Sequence, residues 1–368
     1  MIQIDRRYLI CFDWVSFFLI IVLSIIGLLT VLSATYNPQI PFSLYYKKQL
    51  FGIITGIFFY CMCCLIDYKT GERWGYFLYF ATLGLLMLTF ITGIVAKGGQ
   101  RWISLGFFKF QPSELTKIFF APYAAYYLST EKQPYAFSTF VPLLGMLGFS
   151  SILILKQPDL GTALVLLFSG MTLLWLAGLS KKFFITCACV ALICAPIAWT
   201  GLKPYQKQRV MVFLGEGDQK KERYQIEQSM IAIGSGGLIG KGYLKGTQTK
   251  LSFLPEGRTD CIFSVFCEEW GFIGALVLIF LYGALFYRAF RRILSFKNFY
   301  AQLLASGLLL PLLVSTIINL CMVMGLMPIV GIPLPFMTYG MSHLWMSYIN
   351  LGLLQSIIMR RFAMTTAP

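Results

Sequence analysis

The sequence predicts an all-α polytopic membrane protein with about ten transmembrane helices, and two observations predict it. First, 58% of the 368 residues are hydrophobic and only 12% are charged, against about 25% charged residues in an ordinary soluble domain. Second, apolar runs long enough to cross a bilayer, which takes about 20 residues, recur along the whole chain. Mean hydropathy is accordingly high, at +0.73.

The predicted spans follow one another closely, so residues 1–368 are expected to form a single membrane domain. The longest gap, about 201–260, lies between the seventh and eighth spans and is rich in Lys, Gln and Gly. It is predicted to be a large extracytoplasmic loop. The spans are placed near 15–35, 49–66, 75–95, 115–128, 139–155, 162–179, 183–199, 262–286, 301–325 and 341–358.

The distribution of basic residues predicts the orientation. Short cytoplasmic loops carry an excess of Lys and Arg, and such an excess appears if the N-terminus, with Arg6 and Arg7, lies inside. The C-terminal Arg360 and Arg361 then also lie inside. Both termini are therefore expected in the cytoplasm and the loop 201–260 outside, where its own charges do not affect orientation because long loops cross regardless of charge.

The net charge of +15 also indicates the kind of ligand. The part of this charge that lies on the predicted outer surface suits an anionic ligand at the membrane face, such as a phosphate-bearing lipid. The sequence has no recognised nucleic-acid motif, so no nucleic-acid partner is expected. The ten cysteines fall mostly within apolar spans and are interpreted as small buried hydrophobes rather than a disulfide framework.

The first polar segment with a candidate site is GGQRWISLGFFKFQPSELTK, from Gly98 to Lys117. A guanidinium and an ammonium near a helix N-terminus suit a diphosphate. Glu114 and Lys117 are three residues apart and share a helix face, so the alternative is an ion pair that neutralises itself at the boundary. The candidate substrate-binding residues are Arg101, Trp102, Lys109 and Gln111, and the candidate catalytic residues are Glu114 and Lys117.

The second segment, from Leu251 to Gly274, places Asp260 where the polar loop becomes an apolar helix. An acid at a bilayer boundary is costly unless it is paired or wetted, so Asp260 is the first candidate catalytic residue. Asp260, Ser264 and Glu268 recur every four residues and share a stripe, which is expected to face a cavity or partners. Arg258 and Glu268 are candidate substrate-binding residues. The alternative role for Asp260 is a helix N-cap.

The third segment runs from Met324 to Trp345, where Pro328, Pro333 and Pro335 predict non-helical backbone. Such backbone is tolerated at membrane depth only when it is buried in protein or lines a wet cavity. His343, the single histidine of the chain, is predicted to be a packed or hydrogen-bonded residue rather than a ligand or base. No His, Cys or carboxylate pair has metal-site spacing, so no metal site is predicted.

Four motifs, in this order, resemble the SEDS family of peptidoglycan polymerases (shape, elongation, division and sporulation proteins), and within it the RodA branch more than FtsW. The resemblance covers essentially the whole chain. The motifs are GGQRWISLGFFKFQPSELTK, KQPDLGTAL (Lys156 to Leu164), GSGGLIGKGYLKGTQTKLSFLPEGRTD (Gly234 to Asp260) with the EEWGFIG that follows, and MGLMPIVGIPLPFMTYG.

The resemblance implies a ten-helix glycosyltransferase in the bacterial cytoplasmic membrane that polymerises lipid II into β-1,4 glycan strands at the outer face, for cell elongation and shape. It implies a class B penicillin-binding protein, the transpeptidase, as partner, beside other membrane proteins of the elongation complex. By motif position, Asp260 matches the family's essential acid, and the residues from Arg101 to Lys117 named above match its RW...QPSExxK cluster. The sequence departs from the family at Arg258, where His is usual, and at Met341, where Gly is usual.

The hypothesised reaction is a single displacement that inverts the anomeric centre. Asp260 accepts the proton of the 4-hydroxyl of the incoming sugar, with a divalent cation such as Mg²⁺ or Mn²⁺ as a candidate cofactor. Arg101, Lys109 and Lys117 stabilise the departing diphosphate.

Two other functions stay open: a transporter (flippase) for lipid II, and a non-catalytic activator of a transpeptidase. A transporter is expected to place its polar sites near the bilayer midplane, whereas the polar residues of this sequence crowd at the predicted outer edge.

Overall fold

The computed structural model describes residues 10–96, 99–104, 109–201, 222–251 and 253–360, together with the isolated positions 207 and 211. This part of the chain is almost entirely helical. In chain order the helices are α1 (Trp14–Ala34), α2 (Leu44–Leu65), α3 (Tyr68–Thr92), α4 (Pro112–Thr130), α5 (Phe137–Lys156), α6 (Leu160–Leu176), α7 (Lys181–Gly201), α8 (Glu222–Ser235), α9 (Thr247–Lys250), α10 (Ile262–Ile293), α11 (Phe299–Val323) and α12 (Met341–Met359).

Each predicted span falls on one of these helices, while α8 and α9 lie within the predicted loop. Among the described residues, six helices, namely α1, α2, α3, α5, α10 and α11, are long and apolar enough to cross a membrane. The chain is therefore a membrane protein, and the count of ten spans and the side on which the loop lies stay predictions. Helices α4 and α12 carry more polar residues because most of their side chains are buried in the bundle, where protein replaces lipid as the neighbour.

The predicted all-α fold class is confirmed, but a small antiparallel sheet that the sequence did not predict lies between α3 and α4. Its strands are β1 (Ile94–Ala96), β2 (Gly99–Ser104) and β3 (Lys109–Phe110), in the order β1-β2-β3. Trp102 pairs with Ile94, and Ser104 pairs with Lys109. Strands this short give no clear alternation of polar and apolar residues, and for that reason the sequence did not reveal them.

Side-chain caps set the starts of several helices. Asp13, Ser43 and Asp159 accept hydrogen bonds from N–H groups in the first turns of α1, α2 and α6. These N–H groups have no partner inside their own helix, so a capping oxygen fixes where the helix begins. Asp13 also pairs with Arg288 of α10 at 2.6 Å, which ties the start of α1 to the far end of that helix.

Helix α11 is central and packs against α4, α6, α10 and α12. Asn319 of this helix is fully buried. Its Nδ2 group donates one hydrogen bond to the main-chain oxygen of Asp260 (3.0 Å) and one to that of Ile332 (2.7 Å). One buried amide therefore holds both the turn that contains Asp260 and the backbone after α11.

The backbone between α11 and α12, residues 324–340, is not helical, as its prolines predict; we call it the proline segment. Two glycines let it approach neighbouring helices. A Cβ atom on Gly27 of α1 would lie 2.5 Å from the Cα of Met337, and one on Gly161 of α6 would lie 2.7 Å from the carbonyl oxygen of Val330. The proline segment is thus enclosed by helices, which is the condition for irregular backbone inside a membrane protein.

The loop between α8 and α10 pairs with an interruption in α10. At the interruption Gly271 has a φ of 65°, a conformation that glycine adopts without steric cost. The break frees backbone groups of α10 for the loop. The pairs are Phe272 N to Gly237 O (2.9 Å), Ile273 N to Leu238 O (3.1 Å), Lys241 N to Glu268 O (3.0 Å) and Gly242 N to Glu269 O (3.0 Å).

Two buried glutamates of α10 fix the same loop. Oε1 of Glu268 accepts from Nζ of Lys241 at 2.6 Å and from the first two N–H groups of α9 at 2.8 and 3.0 Å. Oε1 of Glu269 accepts from the N–H of Leu244 at 3.1 Å and from the hydroxyl of Ser33 in α1. The loop is therefore held to the bundle by charge as well as by backbone pairing.

We expect Asn319→Ala to lower the free energy of unfolding by about 1–3 kcal/mol for each of the two buried carbonyls that it leaves unpaired. The thermal unfolding midpoint of the purified protein in detergent measures this. The matched control is Ile317→Ala, because Ile317 lies on the same helix but is 51% exposed. An Asn319→Ala midpoint no lower than that of the control would contradict the role of this amide.

We expect Lys241→Met to loosen the loop, because it leaves the fully buried carboxylate of Glu268 without its cation. Proteolysis of the folded protein within the loop should become faster, with a loss of up to about 3 kcal/mol in local stability. Lys245→Met removes the same charge from an exposed position and serves as the control. Equal cleavage rates in the two variants would show that the ion pair does not hold the loop.

Candidate functional site

The first polar cluster joins the starts of α4 and α12. Glu114 lies in the first turn of α4, and its Oε1 accepts from Nζ of Lys117 at 2.7 Å. Its other oxygen lies 3.3 Å from Nδ1 of His343, in the first turn of α12. The side chains of Glu114 and Lys117 are each 6% exposed, and Nε2 of His343 is buried without a hydrogen-bond partner among the described residues.

The alternative of an ion pair between Glu114 and Lys117 is thus what the structure contains. This pair is buried rather than placed at the solvent boundary, so each charge depends on the other to offset its desolvation. His343 is hydrogen bonded, as expected of a lone histidine. Its partner is a candidate catalytic acid, however, and no local pattern indicates this contact because 229 residues separate the two.

The second cluster converges on Asp159, which caps α6. Arg101 donates from Nε to the carbonyl of Gln157 at 3.1 Å and also donates to the carbonyl of Pro158, and its Nη1 lies 3.7 Å from Oδ1 of Asp159. Gln111 donates from Nε2 to Oδ2 of Asp159 at 2.6 Å. These contacts fasten β2 and the start of α4 to the start of α6.

Asp159 was not among the predicted site residues. Its side chain is 7% exposed and also accepts from the N–H and the hydroxyl of Thr162, at 3.2 and 2.9 Å. The signal was present in the sequence, since an Asp directly before an apolar helix and three residues before a Thr is typical of a helix start. Trp102 is half-buried in β2. For Lys109 the structure describes the backbone, in β3, and its predicted side-chain role lies outside the described part.

The third cluster is the turn from Glu256 to Cys261, which carries Asp260. Main-chain carbonyls of the turn dock it onto the proline segment. The N–H of Tyr339 donates to the carbonyl of Arg258 at 3.1 Å, and the hydroxyl of Thr338 donates to the carbonyl of Thr259 at 3.3 Å. The carbonyl of Asp260 is held by Asn319, as described above. The turn is therefore positioned through backbone atoms.

The side chain of Asp260 faces the proline segment. A Cβ atom on Gly331 would lie 3.4 Å from Oδ2 of Asp260, in van der Waals contact with it. Gly331 has a φ of 73°, so a residue with a side chain would be strained at this position. The N-cap of α10 is Cys261. The alternative role of Asp260 as helix N-cap is therefore not the one found, and the acid is half-buried at a docked turn.

The proline segment borders all three clusters. Its residue Val330 lies against Gly161 at the start of α6, Gly331 lies against Asp260, and His343 follows just after its end. Helices α4, α6, α10 and α12 begin at this end of the bundle, so the candidate residues gather there. The structure thus places Asp260, Glu114, Lys117, Arg101, Gln111, Trp102 and Arg258 at one end of the bundle.

Glu268 lies apart from this group. Ser264 and Glu268 are both fully buried, so the predicted stripe does face protein rather than lipid. Oε1 of Glu268 is engaged by Lys241 and α9, and its predicted contact with substrate stays a prediction. Within the described part of the chain, no three His, Cys, Asp or Glu side chains are placed to hold a metal ion.

The sequence matches the family model of the FtsW, RodA and SpoVE cell cycle proteins over residues 13–362. It is 37% identical over 313 residues to the peptidoglycan glycosyltransferase MrdB of Escherichia coli (strain K12), an alignment that covers 84% of this chain and 85% of the relative. It is 33% identical over 365 residues to the peptidoglycan glycosyltransferase MrdB of Helicobacter pylori (strain ATCC 700392 / 26695), with 98% and 93% covered.

The fold is similar to those of solved structures. The rod shape determining protein RodA of Thermus thermophilus superposes with a TM-score of 0.72 at 27% identity, over 95% of this chain and 98% of that one. A chain from a peptidoglycan synthase complex that coordinates polymerization and crosslinking gives a TM-score of 0.82 at the same identity and coverage. With a family match over nearly its whole length and relatives above 30% identity, this chain belongs to the FtsW, RodA and SpoVE family of cell cycle proteins, the SEDS family that its motifs resemble.

Proposed function

We propose that this protein is a peptidoglycan glycosyltransferase that polymerises lipid II into β-1,4 glycan strands for cell elongation and shape. The observation that carries the proposal is the placement of Asp260, an acid on a turn docked to the proline segment. The same end of the bundle holds the buried Glu114 and Lys117 and the partly buried His343. The activity is supported by relatives named as peptidoglycan glycosyltransferases.

In the proposed reaction Asp260 acts as general base. It accepts the proton of the 4-hydroxyl of the acceptor sugar as that oxygen attacks the anomeric carbon of the donor, and the bond from this carbon to the undecaprenyl diphosphate breaks. The electron pair leaves with the diphosphate, and the anomeric centre inverts. A base held through its own backbone keeps its direction toward the reacting atoms.

The charge that grows on the departing diphosphate requires nearby cations. Lys117 is the proposed contact from α4, and its present pairing with Glu114 means that the phosphate and this carboxylate would share the ammonium. Lys109 is the second proposed contact. Arg101 and Gln111 are engaged with the start of α6, so their proposed role is to position the hairpin that bears Trp102 and Lys109 against the substrate.

A divalent cation such as Mg²⁺ or Mn²⁺ stays a candidate cofactor. The described side chains offer Asp260 without two further protein ligands at metal-binding distance, so a cation is given no step in this reaction. Polymerisation with and without a chelator tests the requirement.

The proposed setting is the bacterial cytoplasmic membrane, with both termini in the cytoplasm and the site at the outer face. The excess of basic residues in the predicted inside loops supports this orientation. A class B penicillin-binding protein is the proposed partner, beside other membrane proteins of the elongation complex. This partner is supported by the similarity to a chain from a peptidoglycan synthase complex in which polymerization and crosslinking are coordinated.

We expect Asp260→Asn to abolish polymerisation of labelled lipid II by the purified protein, with and without its transpeptidase partner. The variant should fold normally, because Asn319 and the proline segment contact the backbone of this turn, and the loss of a general base is expected to slow the reaction at least 10²- to 10⁴-fold. Glycan length on a gel measures the product, and thermal unfolding measures the fold.

Normal glycan synthesis by the folded Asp260→Asn variant would exclude Asp260 as the base. Transfer of lipid II across vesicle membranes by the wild-type protein, with no polymer formed, would instead support the transporter. Stimulation of a transpeptidase that survives both Asp260→Asn and Lys117→Met would support the non-catalytic activator.

We expect Lys117→Met to destabilise the protein by about 3–5 kcal/mol, because it leaves the buried Glu114 carboxylate without its cation. The double variant Glu114→Gln with Lys117→Met should recover most of this stability, since no buried charge is left unpaired. Its polymerisation rate should stay low if Lys117 contacts the diphosphate. Recovery of both stability and rate in the double variant would show that the pair has a structural role alone.

A further inference from the structure

A cavity of about 330 Å³ opens beside the turn that carries Asp260. It lies between the end of α1, the start of α2 and the side chain of Arg258. The residues that line it are Ala34, Thr35, Asn37, Ile40, Ser43, Leu44, Tyr45 and Arg258. Its size falls at the lower end of the range for small-molecule sites, and its walls combine apolar surface with amide and hydroxyl groups.

Arg258 and Tyr45 form a fixed pair at this cavity. The guanidinium carbon of Arg258 lies 4.1 Å from the centre of the Tyr45 ring, and the edge of that ring meets the ring of Tyr339 at 5.2 Å. The N–H of Tyr339 in turn holds the carbonyl of Arg258. Burial raises the pKa of the Tyr339 phenol, so the group beside Arg258 stays neutral at physiological pH.

Arg258 gives the cavity a positive charge. Its side chain is exposed, and the acidic residues Glu256 and Asp260 lie two positions away on either side of it in the same turn. The connection from α1 into α2, residues 35–48, contains no Asp or Glu, and its Lys47 and Lys48 are exposed in the first turns of α2. A guanidinium with its donors free presents a planar fork that fits a carboxylate or phosphate.

The polar groups of the wall suit a sugar. Thr35 and Ser43 share a hydrogen bond of 2.7 Å between their hydroxyls, which keeps both oxygens at the wall, where each retains a lone pair for a ligand hydroxyl. Tyr45 and Leu44 give the flat apolar surface against which a sugar ring packs. One cavity therefore offers hydroxyl groups for a saccharide and, next to them, a guanidinium for one anionic group.

The position of the cavity relates it to the proposed chemistry. Arg258 precedes Asp260 by two residues in one turn, so their Cα atoms lie within about 7 Å of each other. A ligand held by Arg258 is therefore within reach of the proposed base.

We propose that this cavity is a substrate subsite that binds an anionic saccharide, with the sugar against Tyr45 and its anionic group on Arg258. The inference rests on the proposed function. In it, Arg258 and Tyr45 contact the part of lipid II that lies outside the lipid chain. Two sources in lipid II carry the required anion: the diphosphate, and the carboxylates of the peptide stem.

Binding to the full-length Asp260→Asn protein tests the subsite without turnover. Three probes are compared in detergent: lipid II, undecaprenyl diphosphate without sugar, and the soluble disaccharide pentapeptide without lipid or diphosphate. Each is measured with and without Arg258→Gln and Tyr45→Ala. The matched control is Tyr46→Ala, because Tyr46 neighbours Tyr45 and does not line the cavity.

We expect Arg258→Gln to weaken lipid II binding about 10- to 100-fold, as the loss of a charged hydrogen bond does, and Tyr45→Ala to weaken it less, with Tyr46→Ala unchanged. An equal loss for the soluble disaccharide pentapeptide supports the subsite with the peptide carboxylates as the anion. A loss with undecaprenyl diphosphate as well as lipid II supports it with the diphosphate as the anion.

Unchanged affinity of Arg258→Gln for all three probes would overturn the subsite, and so would an equal loss in Tyr46→Ala. Neither result affects the assignment of Asp260, because that assignment is measured by polymerisation of lipid II in the protein with Arg258 intact. The failure of this inference and the failure of the proposed function are therefore distinguishable.

Discussion

The two hydrogen bonds of Asn319 are the constraint on which the candidate site depends. A buried amide in the central helix α11 holds the backbone of Asp260 and that of Ile332 at once. Irregular backbone in a membrane protein must find its hydrogen-bond partners within the protein, and Asn319 meets this need for the two segments that break the helical pattern around the site. Because Asn319 binds main-chain oxygens, its hold on this turn does not depend on which side chain residue 260 carries.

Buried charge has two different uses in this molecule. Lys241 and Glu268 tie the loop to α10, and Arg288 and Asp13 tie α1 to the other end of the same helix. Such pairs gain little net stability, since desolvation offsets the attraction, but they fix geometry because either charge alone is costly. At the site, the pair of Glu114 and Lys117 likewise fixes geometry because either buried charge alone would be costly, and His343 is a third member of this cluster. There it holds the ammonium of Lys117, which is the proposed contact for the departing diphosphate.

The sequence predicted the features that depend on composition and on local pattern. Apolar runs located the helices, prolines located the irregular segment, and Asp260 was recognised because an acid at a helix start next to a bilayer is costly. The sequence did not predict contacts between residues that are far apart in the chain. No local pattern connects Glu114 to His343 or Gln111 to Asp159, and the loop clamp depends on a break at Gly271 that opens backbone groups to the loop. The short strands around Arg101 were missed because their pairing, rather than their residue pattern, creates them.

The most direct measurement of the central claim is a structure of the full-length Asp260→Asn protein with lipid II bound. We expect the sugar and diphosphate to lie beside the proline segment, with the acceptor hydroxyl at hydrogen-bond distance from residue 260 and the diphosphate toward the start of α4. We also expect Asn319 to hold both carbonyls in that complex. Lipid II bound away from the proline segment, or a turn released from Asn319 when substrate is present, would contradict the proposed roles of Asp260 and Asn319.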